Sequence, residues 1–317
     1  MINSEKKIAC LLLVHKNISQ VLRLCTCLQH ESIEIFVHID KKMKIRKDEL
    51  ETLKSFSNKI HIVPERVSCF LDEWSLIKAT MNLVMYARDF LGGNVGYYVL
   101  MSGQDYLIKP ISSLVNHLCD SYPKPFIDCT PRSNINWVAE KFAHTKIRIY
   151  ARRLRRMTNV RGFLLSSLYI ERLMPKRSIL YNKLQRFEIP FYGGSAWWAL
   201  PDKAIDEIIN FYLNKKEFID VYKWSDTPEE TFFQTITMQT SIADSVVIND
   251  PNERAQNCLT YANFETPTKG FVGHPHVIVV DDFEWLIKKE QYIARKFDIN
   301  VDSDIFDKLD QYIFNTK

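Results

Sequence analysis

Alternating strand and helix signals in the first half of the chain constrain its fold more than any other feature. Apolar runs at 8–14, 33–39, 60–63 and 97–101 predict strands, and helical patterns at 19–29 and 75–90 lie between them. Strands that are apolar almost throughout are typical of a parallel sheet covered on both faces. The sequence therefore predicts an α/β fold whose ligands bind at the carboxyl ends of the strands.

Polar residues stand at the carboxyl ends of three of these predicted strands. Val14 and His15 end the first, Asp40 follows the second, and Gln104 and Asp105 follow the strand at 97–101. Because the carboxyl ends of parallel strands meet at one edge of a sheet, we expect these residues to collect at one rim. A nucleotide would bind between them.

A second group of candidate residues lies at 193–198, where the sequence is Gly-Gly-Ser-Ala-Trp-Trp. Glycines let a ligand approach the backbone closely, and indole rings stack on flat ligands such as sugar rings. Ser195, Trp197 and Trp198 are therefore predicted to contact a substrate.

The third candidate segment, Ser-Asp-Thr-Pro-Glu-Glu-Thr-Phe-Phe at 225–233, places acidic residues at the start of a predicted helix. Thr227 fits the N-cap position, Pro228 the first helical position and Glu230 the third, which together form a capping-box pattern. The Glu230 carboxylate could serve only to cap the backbone N–H groups, or it could also act in catalysis. Glu229 is expected to point elsewhere on the helix.

Seven segments resemble, in the same order, motifs of the core 2/I branching β-1,6-N-acetylglucosaminyltransferase family, which includes the peptide O-xylosyltransferases. They are LVHK at 13–16, VHID at 37–40, EWS at 73–75, LMSGQDY at 100–106, GSAWW at 194–198, TPEE at 227–230 and ARKFD at 294–298. The resemblance implies a GT-A glycosyltransferase fold in one domain over 1–317. A Rossmann-like nucleotide-binding half at 1–130 would precede an acceptor and catalytic half at 187–317.

The resemblance also implies roles for individual residues. Glu230 would be the catalytic base, and Lys296, helped by Arg295, would bind the diphosphate of a UDP-sugar donor carrying N-acetylglucosamine or xylose. Asp40 would hold the ribose or uracil, although an acid after a strand can also simply form a turn. The implied reaction is inverting transfer to a hydroxyl of a glycan acceptor.

No metal cofactor is expected. Many enzymes of this fold hold a divalent cation with an Asp-x-Asp motif, but this chain has a single acid, Asp105, at that place, and one carboxylate holds such a cation poorly. The Asp-Ser-Asp triplet at 302–304 more plausibly caps the C-terminal helix. Where the family carries a further arginine, this chain has His274 and His276, either of which could contact the diphosphate when protonated.

The segment 141–186 is strongly basic. Ten Lys or Arg residues between 146 and 177 are accompanied by one acid, Glu171, and aliphatic residues lie between them. This pattern predicts a basic helical insertion that either contacts an anionic membrane surface, where a lipid-linked acceptor would be carried, or forms a solvated face. Nucleic-acid binding fits the charge but not the interleaved aliphatic residues.

Other features bear on location and on competing functions. No apolar run approaches the roughly 18 residues of a membrane helix, and seven cysteines without a regular framework suggest reduced thiols. Animal members of the family that the chain resembles are membrane-anchored lumenal enzymes, so the lack of an anchor signal in this sequence leads us to expect a bacterial cytoplasmic protein, with peripheral contact to the inner face of the membrane. The alternative function is a catalytically silent relative or a basic membrane- or nucleic-acid-binding module.

Overall fold

A parallel sheet built from the first part of the chain forms the centre of the fold. The computed structural model of the protein describes residues 6–133, 178–250, 257–264 and 275–315. Its first strands are β1 (Lys7–Val14), β2 (Ile33–Ile39), β3 (Ile60–Ile62) and β4 (Val95–Ser102), in the spatial order β3-β2-β1-β4. All three pairings are parallel, so the predicted α/β class is confirmed.

Helices cover both faces of this sheet. They are α1 (Ile18–Cys27), α2 (Lys47–Ser55), α3 (Trp74–Phe90) and, after the short strand β5 (Asp105–Leu107), α4 (Ile111–Ser121). Alternate residues of β1 enter two different cores: Leu12 packs in the cluster that includes Val21 of α1, and Leu11 in the cluster that includes Ile77 of α3. This burial on both sides explains why the strand is apolar throughout.

The second part of the chain returns to the same sheet. Its elements are β6 (Thr130–Pro131), α5 (Ser178–Gln185), β7 (Tyr192–Gly193), β8 (Ala199–Pro201), α6 (Asp202–Asn214) and α7 (Lys216–Tyr222). Strand β8 pairs antiparallel with β4, with Val99 opposite Ala199, and so extends the sheet beyond β4. The two predicted halves therefore share one sheet.

The remaining elements build the region beside the carboxyl ends of the strands. They are a 3₁₀ turn (Pro228–Glu230), α8 (Phe232–Thr237), a 3₁₀ turn (Ala243–Ser245), β9 (Thr260–Ala262), a 3₁₀ turn (Val280–Asp282), α9 (Phe283–Leu286), β10 (Ile293–Arg295) and α10 (Asp304–Asn315). Strand β10 lies between β5, to which it is antiparallel, and β9, to which it is parallel.

Helix α10 is fastened to the first helix by a network of polar side chains. Arg23 of α1 donates from Nε to Asp310 Oδ2 at 2.8 Å, and the Tyr106 hydroxyl donates to Asp310 Oδ1 at 2.6 Å. At the other end, Asp302 Oδ1 accepts the N–H groups of Asp304 at 2.9 Å and Ile305 at 3.1 Å. The prediction that the 302–304 triplet caps the C-terminal helix is confirmed.

The predicted capping box at Thr227 is wrong. Thr227 adopts a left-handed conformation with φ of 50°, and its side chain makes no cap hydrogen bond. Its hydroxyl instead donates to Asp226 Oδ1 at 3.4 Å. Glu230 therefore closes a short 3₁₀ turn, and the helix proper begins only at Phe232.

The basic segment lies largely outside the described residues. Of 141–186, the structure describes 178–186, which contains helix α5. Within the described ranges, no helix is both long enough and apolar enough to cross a bilayer.

The close approach of two backbone segments at Gly194 yields a stability prediction. A Cβ atom added at Gly194 would lie 1.9 Å from the Asp128 carbonyl oxygen, whereas one added at Gly103 would meet side-chain methyl groups, with Val21 Cγ2 at 2.9 Å and Val14 Cγ2 at 3.6 Å. We expect Gly194→Ala to lower the free energy of unfolding by about 3 kcal/mol or more and Gly103→Ala by about 1 kcal/mol. Urea denaturation of both variants measures this, and equal losses would contradict the packing at Gly194.

Candidate functional site

Positive side chains are concentrated at the carboxyl ends of β1 and β10. His15 and Lys16 follow β1, and Lys296 follows β10. Partial burial lowers the pKa of His15, and the nearby charges of Lys16 and Lys296 lower it further. Burial likewise lowers the pKa of Lys296, with Lys16 and Arg295 adding to the effect. Part of each shift comes from repulsion by neighbouring positive charges, which a bound anion would relieve.

One carboxylate, Asp298, partly offsets this charge. Lys16 Nζ lies 2.5 Å from Asp298 Oδ2, and Asn17 Nδ2 donates to Asp298 Oδ1 at 3.3 Å. Burial raises the pKa of Asp298, but the Lys16 hydrogen bond and the Asn300 N–H lower it below the usual value overall. Asp298 therefore stays ionised and holds Lys16 beside the rim.

Arg295 joins the strand β10 to the indole-bearing segment. Its Nη1 lies 3.6 Å from Asp105 Oδ1, and its guanidinium carbon lies 4.0 Å from the centre of the Trp197 ring. Burial lowers the pKa of Arg295 and raises that of Asp105, and in each case the partner's charge opposes the effect. Arg295 thus holds Trp197 in place, and it does not extend freely to a ligand.

The side chains of Asp105 and Gln104 are both buried. Asp105 is 0% exposed, and its two oxygens accept the Ser102 N–H at 2.8 Å and the Ser102 hydroxyl at 2.9 Å. Gln104 is 4% exposed, and its Nε2 donates to the Phe297 carbonyl oxygen at 3.4 Å. Both side chains are enclosed by the β10 segment, and the nucleotide contact predicted for Asp105 and the substrate contact predicted for Gln104 stay predictions.

A buried glutamine that the sequence reasoning missed ties this region together. Gln20 Nε2 donates to the carbonyl oxygens of Gly103 at 2.7 Å and Phe297 at 3.2 Å, and Gln20 Oε1 accepts the Ile299 N–H at 3.0 Å. It is 0% exposed on the inner face of α1. In the sequence, Gln20 is recognisable as a polar residue among Ile18, Val21 and Leu24 on the apolar face of the helix.

Val14 and Asp40 are adjacent, as predicted. The Asp40 N–H donates to the Val14 carbonyl oxygen at 2.7 Å. Asp40 Oδ1 accepts the N–H groups of Lys42 at 2.8 Å and Cys69 at 3.4 Å. The Asp40 side chain therefore stabilises a turn and holds the loop at 64–73, which is the structural role given above as the alternative for an acid after a strand. Contact with ribose or uracil stays a prediction.

The turn that carries Glu230 lies against the segment at 193–198. The Gly194 N–H donates to the Glu230 carbonyl oxygen at 2.8 Å. Gln234 Nε2 donates to the Ser195 carbonyl oxygen at 2.6 Å, and the Ser195 hydroxyl accepts the Trp197 N–H at 3.3 Å. Ser195, Trp197 and Glu230 are all partly exposed, so each is open to a ligand.

Trp198 differs from Trp197. It is 2% exposed, and its ring centre lies 4.8 Å from that of Phe233 in the core. Successive residues of an extended segment point to opposite sides, so only one of the two indoles can face the rim. Trp198 therefore belongs to the core, and its predicted contact with a substrate stays a prediction.

A continuous series of contacts brings the two groups of candidate residues together. The Glu230 carbonyl oxygen accepts the Gly194 N–H, and Trp197 lies three residues after Gly194. The Arg295 guanidinium stacks on the Trp197 ring, and Lys296 follows Arg295 in the sequence. The charges of Lys296 and Arg295 lower the pKa of His15. This series of neighbours links the turn that carries Glu230 to the basic side chains around Lys296.

His276 adjoins this site through its backbone. Its carbonyl oxygen accepts the Lys296 N–H at 3.4 Å, and its own N–H donates to the Asn263 carbonyl oxygen at 2.7 Å. His274 lies outside the described residues. Across the ranges that the structure describes, no cluster of three or more His, Cys, Asp or Glu side chains is placed to hold a metal ion.

Comparison with protein families identifies the group to which these features belong. A model of the Core-2/I-Branching enzyme family matches residues 8–287. The chain belongs to the Core-2/I-Branching enzyme family. The order of the seven motifs predicted this family, and the prediction is confirmed. The chain therefore has the α/β GT-A fold of a glycosyltransferase family.

Among known proteins, the chain is similar to animal xylosyltransferases. It is 21% identical over 325 residues to xylosyltransferase 2 of Canis lupus familiaris, covering 98% of this chain and 34% of that protein. It is 22% identical over 320 residues to human xylosyltransferase 1, covering 97% of this chain and 30% of that protein. The chain thus spans about a third of the length of the curated relatives that it matches.

Among solved structures, the chain is similar to a 4-diphosphocytidyl-2C-methyl-D-erythritol synthase from Anaerococcus prevotii, with 12% identity and a TM-score of 0.31. The match covers 66% of this chain and 76% of that chain. A similarity of this size does not bear on function.

The lowered pKa of Lys296 yields a prediction for ligand affinity, with UDP as the probe. A diphosphate binds the protonated amine, so the affinity for UDP should fall as the pH rises through the lowered pKa of Lys296. Lys296→Arg, whose guanidinium stays protonated, should flatten this dependence. Lys296→Ala should weaken binding at every pH. Calorimetric titration in excess EDTA measures all three proteins, and a dissociation constant that is independent of pH in the native chain would contradict the assignment.

Proposed function

We propose that the protein is an inverting glycosyltransferase that moves a sugar from a UDP-sugar to a hydroxyl of a glycan acceptor without a metal ion. The observation that supports the proposal is the series of contacts that links the partly exposed Glu230 to the basic side chains around Lys296. Sugar transfer needs a base for the acceptor hydroxyl and positive charge for the departing diphosphate.

In this reaction the acceptor oxygen attacks the anomeric carbon of the donor sugar as the bond from that carbon to the diphosphate oxygen breaks. The acceptor proton passes to Glu230, and UDP leaves with the negative charge. Attack from the side opposite the leaving group inverts the anomeric configuration. Lys296, with Lys16 beside it, would stabilise the charge that develops on the diphosphate.

Trp197 is proposed to contact the sugar. One face of its ring is covered by the Arg295 guanidinium, and the side chain stays partly exposed. Aromatic faces are suited to stacking on sugar rings. The relatives named above are xylosyltransferases, which favours UDP-xylose among the donors to be tested, with UDP-N-acetylglucosamine as the second.

A direct test of the proposed base is Glu230→Gln. The amide keeps the size of the side chain but cannot accept the proton, so transfer should fall by about two to four orders of magnitude. The affinity for UDP and the melting temperature should stay unchanged. UDP release from a panel of UDP-sugars, in excess EDTA, measures the rate. Near-native turnover in the variant would remove Glu230 from the mechanism, and strict dependence on manganese or magnesium would exclude the metal-free reaction.

The basic segment carries a proposal of its own. We infer from its charge and its interleaved aliphatic residues that 146–177 binds an anionic membrane surface, which would place the enzyme near a lipid-linked acceptor in bacterial surface polysaccharide synthesis. Each Lys or Arg near such a surface contributes about 1 kcal/mol.

Co-sedimentation with vesicles that contain an anionic lipid tests this proposal. The native chain should pellet at low salt and be released at high salt. A variant with Arg152, Arg153, Arg155 and Arg156 changed to Ser should stay in the supernatant. Equal sedimentation of the two chains would show that the segment does not bind membranes through these charges.

A further inference from the structure

The acid beside the proposed base points into the protein. Glu229 Oε1 accepts the Asp72 N–H at 3.0 Å, and Glu229 Oε2 is buried and accepts no hydrogen bond from the described residues. Glu229 stands on a 3₁₀ turn and not on the predicted helix, and the turn directs its side chain toward the loop before α3. A substitution of Glu229 would break this contact, so it cannot serve as a silent control for a substitution of Glu230.

The loop that Glu229 reaches also borders the nucleotide rim. Within it, the Cys69 N–H donates to Asp40 Oδ1 at 3.4 Å, and the Phe70 N–H donates to the Ser75 hydroxyl at 2.9 Å. Asp72 follows in a left-handed conformation with φ of 62°. The Glu229 carboxyl thus connects the turn that carries the proposed base to a loop that is fixed at the donor side.

Two other contacts hold the turn and the start of the helix that follows it. The Gly194 N–H donates to the Glu230 carbonyl oxygen at 2.8 Å on one side. On the other side, the Phe232 ring packs edge-on against Trp74, with ring centres 5.1 Å apart. Of these contacts, the hydrogen bond from the Asp72 N–H is accepted by the side chain that immediately precedes Glu230 in the sequence. It joins the turn directly to the donor-side loop.

We propose that Glu229 is a positioning residue, which fixes the Pro228–Glu230 turn to the Asp72 loop and so orients the Glu230 carboxylate toward the acceptor hydroxyl. This inference rests on the proposed role of Glu230 as the base. Small displacements of a catalytic group lower the rate strongly, because the reacting atoms must be held at a fixed distance and angle.

The electrostatics of the pair support this role. Burial raises the pKa of Glu229 well above its usual value, and the neighbouring carboxylates of Glu230 and Asp72 raise it further, against the effect of the backbone hydrogen bonds. A protonated Glu229 still accepts the Asp72 N–H through its carbonyl oxygen.

Three substitutions of Glu229 separate positioning from charge. Glu229→Gln keeps the length and the acceptor oxygen of the neutral acid, so turnover should stay within about threefold of the native value. Glu229→Asp keeps the carboxyl group but withdraws the acceptor oxygen by one methylene, and Glu229→Ala removes it. Both should lower kcat by about 10- to 100-fold. The dissociation constant for UDP should stay unchanged in all three, and the melting temperature reports whether each variant folds.

A double-substitution cycle tests whether Glu229 acts through Glu230. In the Glu230→Gln background, Glu229→Ala should lower UDP release no further, because there is no base left to orient. The same loss in both backgrounds, or equal loss for the Gln and Asp variants, would overturn the proposal. Near-native turnover of Glu230→Gln alone would instead refute the proposed base, whatever the Glu229 variants do.

Discussion

The buried guanidinium of Arg295 is the interaction on which the arrangement of the site depends. Its charge partner, Asp105, belongs to β5 beside the central sheet, and its ring partner, Trp197, belongs to the segment that leads to β8. A cation–π contact contributes about 0.5–2 kcal/mol, whereas removal of one partner from a buried ion pair costs about 3–5 kcal/mol. The ion pair therefore dominates, and it determines where the indole and Lys296 stand relative to each other.

The four parallel strands of the central sheet could be predicted from the sequence. The run at 33–39 forms a strand with those bounds, the runs at 8–14 and 97–101 were each extended by one to three residues, and the helix predicted at 75–90 begins one residue earlier. Strands buried on both faces leave little freedom in the pattern of apolar residues. The order β3-β2-β1-β4 could not be read from the pattern, and neither could the antiparallel return of β8.

The candidate site was predicted less completely, because motifs identify segments and do not say which way each side chain points. Asp105, Gln104 and Trp198 stand in the expected segments but are buried. Gln20 and Glu229 carry structural links that no motif indicated, since their partners are backbone groups far away in the sequence. The family itself followed from the order of motifs, and such an order does not depend on side-chain direction.

The fastening of α10 has a practical consequence for anyone who shortens or labels this protein. Asp310 of that helix bonds Tyr106, the immediate neighbour of Asp105, and it also bonds Arg23 on the helix that carries Gln20. Helix α10 is thus linked to the nucleotide rim through the side chains of Tyr106 and Arg23. A truncation before Asp310, or a bulky dye placed on the inner face of α10, would disturb ligand binding even though every proposed contact residue is retained.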